Sequence, residues 1–200
     1  SRRGDLWSPL FLFYRADNIR PLRYALFGTF INFLLLYPKF YLKNVKEITT
    51  ELLTENNIKG LILDVDNTLI DKECTLLEQA DEWCKDLKKQ GIKICILSNT
   101  ANKNKAEMVA KKLDIPYLYF GKKPLKMGFK KAKKLLEIEN NSEIAVVGDQ
   151  IFTDILGANR VKMIPILVQP ISRKDLWYTR IKRPLEDLII KRYLEKYGGK

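Results

Sequence analysis

Hydrophobic positions along this chain fall into two rhythms that alternate from Val45 onward. The stretch "VKEITTELLTENNIKG" sets Val45, Ile48, Leu52 and Leu53 on one helical face and closes on Asn-Asn. "KGLILDVD" follows, apolar without alternation, as a strand buried on both faces does. The rhythm then repeats: "TLLEQADEWCKDLKKQG" predicts a helix closed by Gly91, "IKICILS" a strand, "KNKAEMVAKKLDI" a helix and "PYLYF" a short strand. "KMGFKKAKKLLEIE" predicts a further helix, "EIAVVGD" a strand, "QIFTDILGANR" a helix and "KMIPILV" a last strand. Five strands separated by helices predict an α/β fold, a doubly wound parallel sheet with right-handed crossovers. In such sheets ligands bind outside the carboxyl ends of the strands. That edge collects the unusual polar residues. Asp64 and Asp66 end one strand, with Thr68 two positions on; Ser98 and Asn99 end another, and Asp149 ends the fourth.

Ahead of Val45 the pattern changes. "YALFGTFINFLLLY" (24–37) is uncharged for fourteen residues before Pro38 and Lys39, short of the ~20 that a spanning helix needs. Arg15, Arg20 and Arg23 precede it and Lys39, Lys43 and Lys46 follow, the composition of a helix lying in a headgroup layer. Packing on the domain, or on a second copy of the chain as a homo-oligomer, is the other reading. No small-residue cleavage site follows, which argues against a signal peptide. The expected organisation is an N-terminal apolar and basic segment over 1–43, an α/β domain over 44–171 and a basic amphipathic C-terminal segment over 172–200.

Charge sharpens this picture. The net charge is +12, and it is concentrated at the ends: residues 1–33 carry five Arg/Lys against two acids, and residues 172–200 carry nine against four. Such a surface suits a polyanionic neighbour, either an anionic membrane or nucleic acid. The absence of histidine excludes Ser-His-Asp triads, histidine zinc sites and imidazole bases. Three cysteines without a C-x-x-C pair argue against a disulfide framework and for a reducing compartment.

Chemistry therefore falls to carboxylates, lysine, hydroxyls and metal. A carboxylate can attack a phosphoryl group when a divalent cation offsets the repulsion between the anions, and Asp64 is placed for this. Asp66, just past the strand end, could protonate the leaving oxygen and then deprotonate water. Asp149 and Asp154 in "GDQIFTD" offer further acids for Mg²⁺. Ser98, with N–H groups at the following helix start, can hold phosphate oxygens, and Lys123 can balance charge on the transferred group.

Taken in order, "DVDNT", "SNT", Lys123 in "KKP" and "GDQIFTD" resemble the four signature motifs of the haloacid dehalogenase superfamily phosphatases. The resemblance implies a haloacid dehalogenase-like fold, Asp64 as nucleophile, Asp66 as general acid/base and Lys123 as the phosphate-steadying lysine, with Lys122 as its alternative. It implies phosphate contacts from Thr68, Ser98 and Asn99. It implies Mg²⁺ held among Asp64, the Val65 carbonyl, Asp66, Asp149 and Asp154. A narrower resemblance, over roughly residues 34–195, is to the YqeG-like group of phosphatidylglycerophosphate phosphatases. It is carried by "LLYPKFYLKNVKEI", "GDQIFTDILGANR" and "LWYTRIKRPLE".

Members of the superfamily acting on small metabolites usually insert a cap domain between motifs. Here 33 residues separate Asp64 from Ser98 and 24 separate Ser98 from Lys123, which predicts a capless, open site for a phosphate carried on a bulky body. The reading that combines these features is a Mg²⁺-dependent phosphomonoesterase for a phosphorylated lipid. It would form phosphatidylglycerol, on the route to cardiolipin, as a peripheral enzyme on the cytoplasmic face or the mitochondrial matrix side of a membrane. A nucleic-acid end phosphatase accounts for the charge but not for the apolar segment. A non-catalytic membrane-associated binding module is the third class.

Overall fold

The computed structural model describes residues 34–172 and 177–198. Residues 1–33, which hold most of the apolar 24–37 stretch, lie outside the described residues, as do the side chains of Trp177, Tyr178, Arg180, Lys182 and Arg183. The chain divides into two units, Ser1–Leu34 and Leu35–Lys200; the fold and site belong to the second.

The long apolar runs become strands because both faces of the sheet are covered. The strands are β1 (Phe40–Leu42), β2 (Gly60–Leu63), β3 (Lys93–Leu97), β4 (Tyr117–Leu118), β5 (Ile144–Gly148) and β6 (Ile164–Val168). They form one sheet in the order β1-β6-β5-β2-β3-β4, with every neighbouring pair parallel. Between them run α1 (Thr50–Glu55), α2 (Ala80–Lys89), α3 (Lys103–Leu113), α4 (Lys126–Leu136) and α5 (Leu156–Arg160), with α6 (Trp177–Tyr197) at the C-terminus. Strand residues alternate between two cores. Leu61, Leu63, Ile94, Ile96, Ala145 and Val147 pack with α2, α3 and the segment around α1. Ile62, Cys95, Leu97, Ile144 and Val146 pack with Phe129, Ala132 and Leu136 of α4 and Ala158 of α5. This is the predicted doubly wound sheet.

It has six strands rather than five. β1 falls inside the predicted N-terminal segment, yet Phe40–Leu42 pairs in register with Ile166–Val168. The Lys39 N–H donates to the Pro165 carbonyl (2.8 Å), and the Gln169 N–H donates to the Leu42 carbonyl (3.0 Å). The added strand satisfies the otherwise bare edge of β6. The helix expected from Val45 is also broken, into a 3-10 turn at Val45–Glu47 and α1, because the Thr49 side chain accepts the Leu52 N–H and starts the helix there. The helix expected from Thr75 begins only at Ala80, since Ile70 bridges Leu76 across the preceding loop. Cys74, Cys84 and Cys95 are free thiols.

At the carboxyl edge the register is level: Leu63 lies opposite Ile96 on one side and Val147 on the other. Asp64, Ser98 and Asp149 therefore leave neighbouring strands within about one residue of each other.

Candidate active site

β2 is followed directly by Asp64, whose N–H donates to the Val147 carbonyl at 2.9 Å and so carries the ladder one step past the strand. Its side chain meets Lys123, which arrives after β4. The Lys123 Nζ donates to Asp64 Oδ1 and to Asp154 Oδ1, both at 2.6 Å, and all three side chains are buried. Asp154 stands on a π-helical turn, Ile151–Ile155, that follows β5. Its other oxygen accepts the Gln150 N–H (3.2 Å) and the Thr153 hydroxyl (3.3 Å). The close fit depends on Gly148, where a Cβ would lie 2.3 Å from Asp154 Cγ. Among the described residues, Asp64, Asp149 and Asp154 each bring a carboxylate oxygen to within 4.8 Å of the others.

Three buried carboxylates thus face one ammonium group. Burial pushes the Asp64 carboxyl up from 3.8 to about 7; Lys123 pulls it back, while Asp154 and Asp66 push it further up. Burial pulls Lys123 down, but Asp154 and Asp64 outweigh it and hold the ammonium above the usual lysine range. A cluster of hard oxygen donors with excess negative charge in a desolvated pocket fits a divalent cation such as Mg²⁺.

The raised Asp64 value fixes a sign. In the metal-free protein its contribution to stability is fully present below its unfolded value of 3.8 and is lost as pH rises through about 7. Unfolding free energies from urea titrations in chelator should therefore fall as pH rises from about 5 to about 7.5, by up to ~1.4 kcal/mol per pH unit from this group. Asp64→Asn should flatten the profile. Equal slopes in the two proteins would refute the assignment.

The other predicted residues divide into those the fold brings to the cluster and those it uses elsewhere. Asp66 lies at the rim, its side chain 38% exposed and ion-paired to Lys105; its carboxylate is not part of the three-acid cluster. The Val65 carbonyl accepts the N–H groups of Thr68, Leu69 and Ile70. Those bonds commit it to the turn, which corrects its expected role as a metal ligand. Thr68 Oγ1 is buried without a hydrogen-bond partner, a hydroxyl able to serve a bound anion. Ser98 is buried at the end of β3, and its Oγ accepts the Thr100 N–H at 3.1 Å, leaving its own proton to donate.

Asn99, expected to touch phosphate, instead clamps the lysine. Its Nδ2 donates to the Lys123 carbonyl (2.9 Å) and its Oδ1 accepts the Lys123 N–H (2.7 Å). Of the two candidate lysines, Lys123 enters the pocket, while the exposed Lys122 lays its Nζ over the Phe120 ring at 5.0 Å from the centroid.

Two participants escaped the sequence reading. Lys105 stands in the first turns of α3, and its position after the Ser98 strand end was the signal that could have found it. Glu186 of α6 is buried and accepts the Ile151 N–H at 3.0 Å, capping the turn that carries Asp154. A carboxylate at a helix start is favourable, but no local pattern marks it.

A family model described as mitochondrial PGP phosphatase matches residues 23–171. The chain is 36% identical over 154 residues to a probable phosphatase, YqeG, of Bacillus subtilis (strain 168), covering 76% of this chain and 88% of that protein. It is 31% identical over 170 residues to phosphatidylglycerophosphate phosphatase 1, chloroplastic/mitochondrial, of Arabidopsis thaliana, covering 80% of this chain and 48% of that protein, so it spans about half of that relative. Among solved structures, an uncharacterized protein from Listeria monocytogenes serotype 4b aligns with a TM-score of 0.48 at 22% identity, over 68% of this chain and 99% of that one.

Proposed function

Because this chain belongs to the mitochondrial PGP phosphatase family, a group of haloacid dehalogenase-type phosphatases, we propose that it removes the terminal phosphate of phosphatidylglycerophosphate at a membrane surface. The observation that carries the chemistry is the buried Asp64–Lys123–Asp154 arrangement with Asp149 beside it. The observation that favours a large substrate is the openness between motifs. Residues 65–122 hold the 67–79 loop, α2, β3, α3 and β4, with no inserted domain over the site.

In this reading an Asp64 carboxylate oxygen attacks phosphorus, and the bond from phosphorus to the glycerol oxygen breaks. Protonated Asp66 gives its proton to that leaving oxygen. Asp66 then takes a proton from the water that attacks the aspartyl-phosphate, releasing inorganic phosphate and restoring the Asp64 carboxylate. The second step returns Asp66 to its protonated form, and its partly exposed place lets the leaving alcohol and the attacking water meet it in turn. Thr68 and Ser98 offer hydroxyl donors to the phosphoryl oxygens, and Lys123 stays beside Asp64 to balance charge. Asp64, Asp149 and Asp154 would hold Mg²⁺, whose charge offsets the repulsion between nucleophile and phosphate.

The test is phosphate release from phosphatidylglycerophosphate in mixed micelles, compared with a 3′-phosphorylated oligonucleotide. Release from the lipid should stop in chelator and return with Mg²⁺ but not with Ca²⁺, whose looser coordination suits in-line transfer poorly. Chelator-resistant release, or preference for the oligonucleotide, would overturn the reading.

A further inference from the structure

The loop from β4 to α4 carries an unusual surface. Tyr119, Phe120, Leu125 and Met127 are 44%, 57%, 51% and 54% exposed, four large apolar side chains within a short segment. The same segment contains Lys123 and so belongs to the wall of the site. It is also fixed to that wall elsewhere. The Phe120 N–H donates to the Thr100 carbonyl (3.0 Å) and the Gly121 N–H to the Ser98 carbonyl (2.8 Å). A Cβ on Gly128 would lie 2.3 Å from the Gly121 carbonyl oxygen, so the two ends of the loop touch and Phe120 and Met127 flank the pinch.

Exposure here is not slack. Phe120 and Lys122 both hold left-handed backbone, at φ 53° and 52°, a region that bulky residues avoid. The outcome is an exposed aromatic ring three residues from Lys123 with the Lys122 ammonium over its face. The charge around it has one sign: residues 117–136 include seven lysines and no acid.

We infer that the Tyr119–Met127 loop is a membrane-docking element that seats the mouth of the site on an anionic bilayer. Phe120, Leu125 and Met127 enter the boundary between headgroups and acyl chains, and Lys122 and Lys126 meet lipid phosphates. An exposed apolar cluster interleaved with lysines and free of acid is complementary to such a surface, where apolar burial and attraction to anionic headgroups add. The docked loop would bring Lys123, and with it Asp64, to the depth of a headgroup phosphate. The inference rests on the lipid-phosphate reading of the site, and the test separates the two.

Two variants of the full chain serve. Phe120→Trp reports insertion directly, by quenching from brominated acyl chains in phosphatidylcholine/phosphatidylglycerol vesicles. The triple variant Phe120→Asn/Leu125→Ser/Met127→Ser removes the apolar cluster while respecting the backbone, since Asn tolerates the left-handed region and Leu125 occupies the cap position of α4, where Ser is favourable. Phe120→Trp should be quenched beyond the wild-type background of Trp7, Trp83 and Trp177. The triple variant should lose about tenfold or more in hydrolysis of vesicle-borne phosphatidylglycerophosphate, with p-nitrophenyl phosphate turnover within about twofold of wild type. Absence of extra quenching, unchanged vesicle hydrolysis, or equal loss on both substrates would each overturn the docking role. Extra quenching together with no hydrolysis of the lipid by wild type, even in detergent micelles, would leave docking standing and refute the substrate instead.

Discussion

Asp64→Asn should lose at least ~10³-fold in turnover on lipid and on p-nitrophenyl phosphate alike, with the fold intact. The amide has the shape of the carboxylate, and its oxygen can still accept from the Lys123 Nζ that now lies 2.6 Å from Asp64 Oδ1. It is a far weaker nucleophile toward phosphorus. Above about pH 7 and without metal, the variant should be more stable than wild type by ~1–3 kcal/mol, because one charge of a buried anionic cluster is gone. Asp66→Asn offers the contrast within the same series. Its nucleophile survives, so it should lose only the proton-transfer factor, on the order of 10² to 10⁴, and accumulate phosphoenzyme. Steady-state kinetics with acid-quenched trapping of labelled protein decide the point: wild-type turnover by Asp64→Asn, or trapped label on it, would remove Asp64 from the nucleophile's role.

Lys123→Met should do its largest damage to stability. Lys123 donates to two buried carboxylates, and Asp149 lies within the same cluster. Removing the ammonium leaves three acids facing one another out of water. A loss of about 3 kcal/mol or more is expected in chelator, since a buried ion pair broken on one side leaves an uncompensated charge. Millimolar Mg²⁺ should restore part of it by binding the folded form. Turnover should fall on the order of 10²- to 10³-fold even with metal present, because charge stabilisation of the transferred group is lost. Urea titrations with and without Mg²⁺ measure the first effect; a variant as stable as wild type in chelator would contradict the charge balance described for the cluster.

Much of this site was legible in the sequence because its residues stand where strands stop. Asp64, Ser98 and Asp149 each follow a run of buried apolar residues, and parallel topology then requires those ends to lie side by side. Lys123 was legible by its place before Pro124, though only the fold distinguishes it from Lys122. What could not be read was created by packing. Asn99 stands beside Ser98 in the chain, yet its amide is committed to the Lys123 backbone across 24 residues. The Val65 carbonyl is claimed by a turn whose closure depends on the loop through Ile70 and Leu76. Glu186 reaches Ile151 from a helix 35 positions away. β1 is three residues long and sits between Pro38 and Lys43, so its run is too short for a strand period to register, and its partner strand alone makes it one.

That strand constrains how the chain can be assembled. Phe40–Leu42 is synthesised before Ile166–Val168, its hydrogen-bonding partner, by more than a hundred residues. At roughly 5–20 residues per second, β1 waits on the order of ten seconds with its backbone bonded to water. β2 pairs with β3 on one side and β5 on the other without it, so the residues around Asp64 can meet before the sheet has its outer edge. Tyr193 of α6 packs against Tyr37 and donates its hydroxyl to the Lys39 carbonyl, so the outer edge strand is also tied to the helix synthesised after its partner strand.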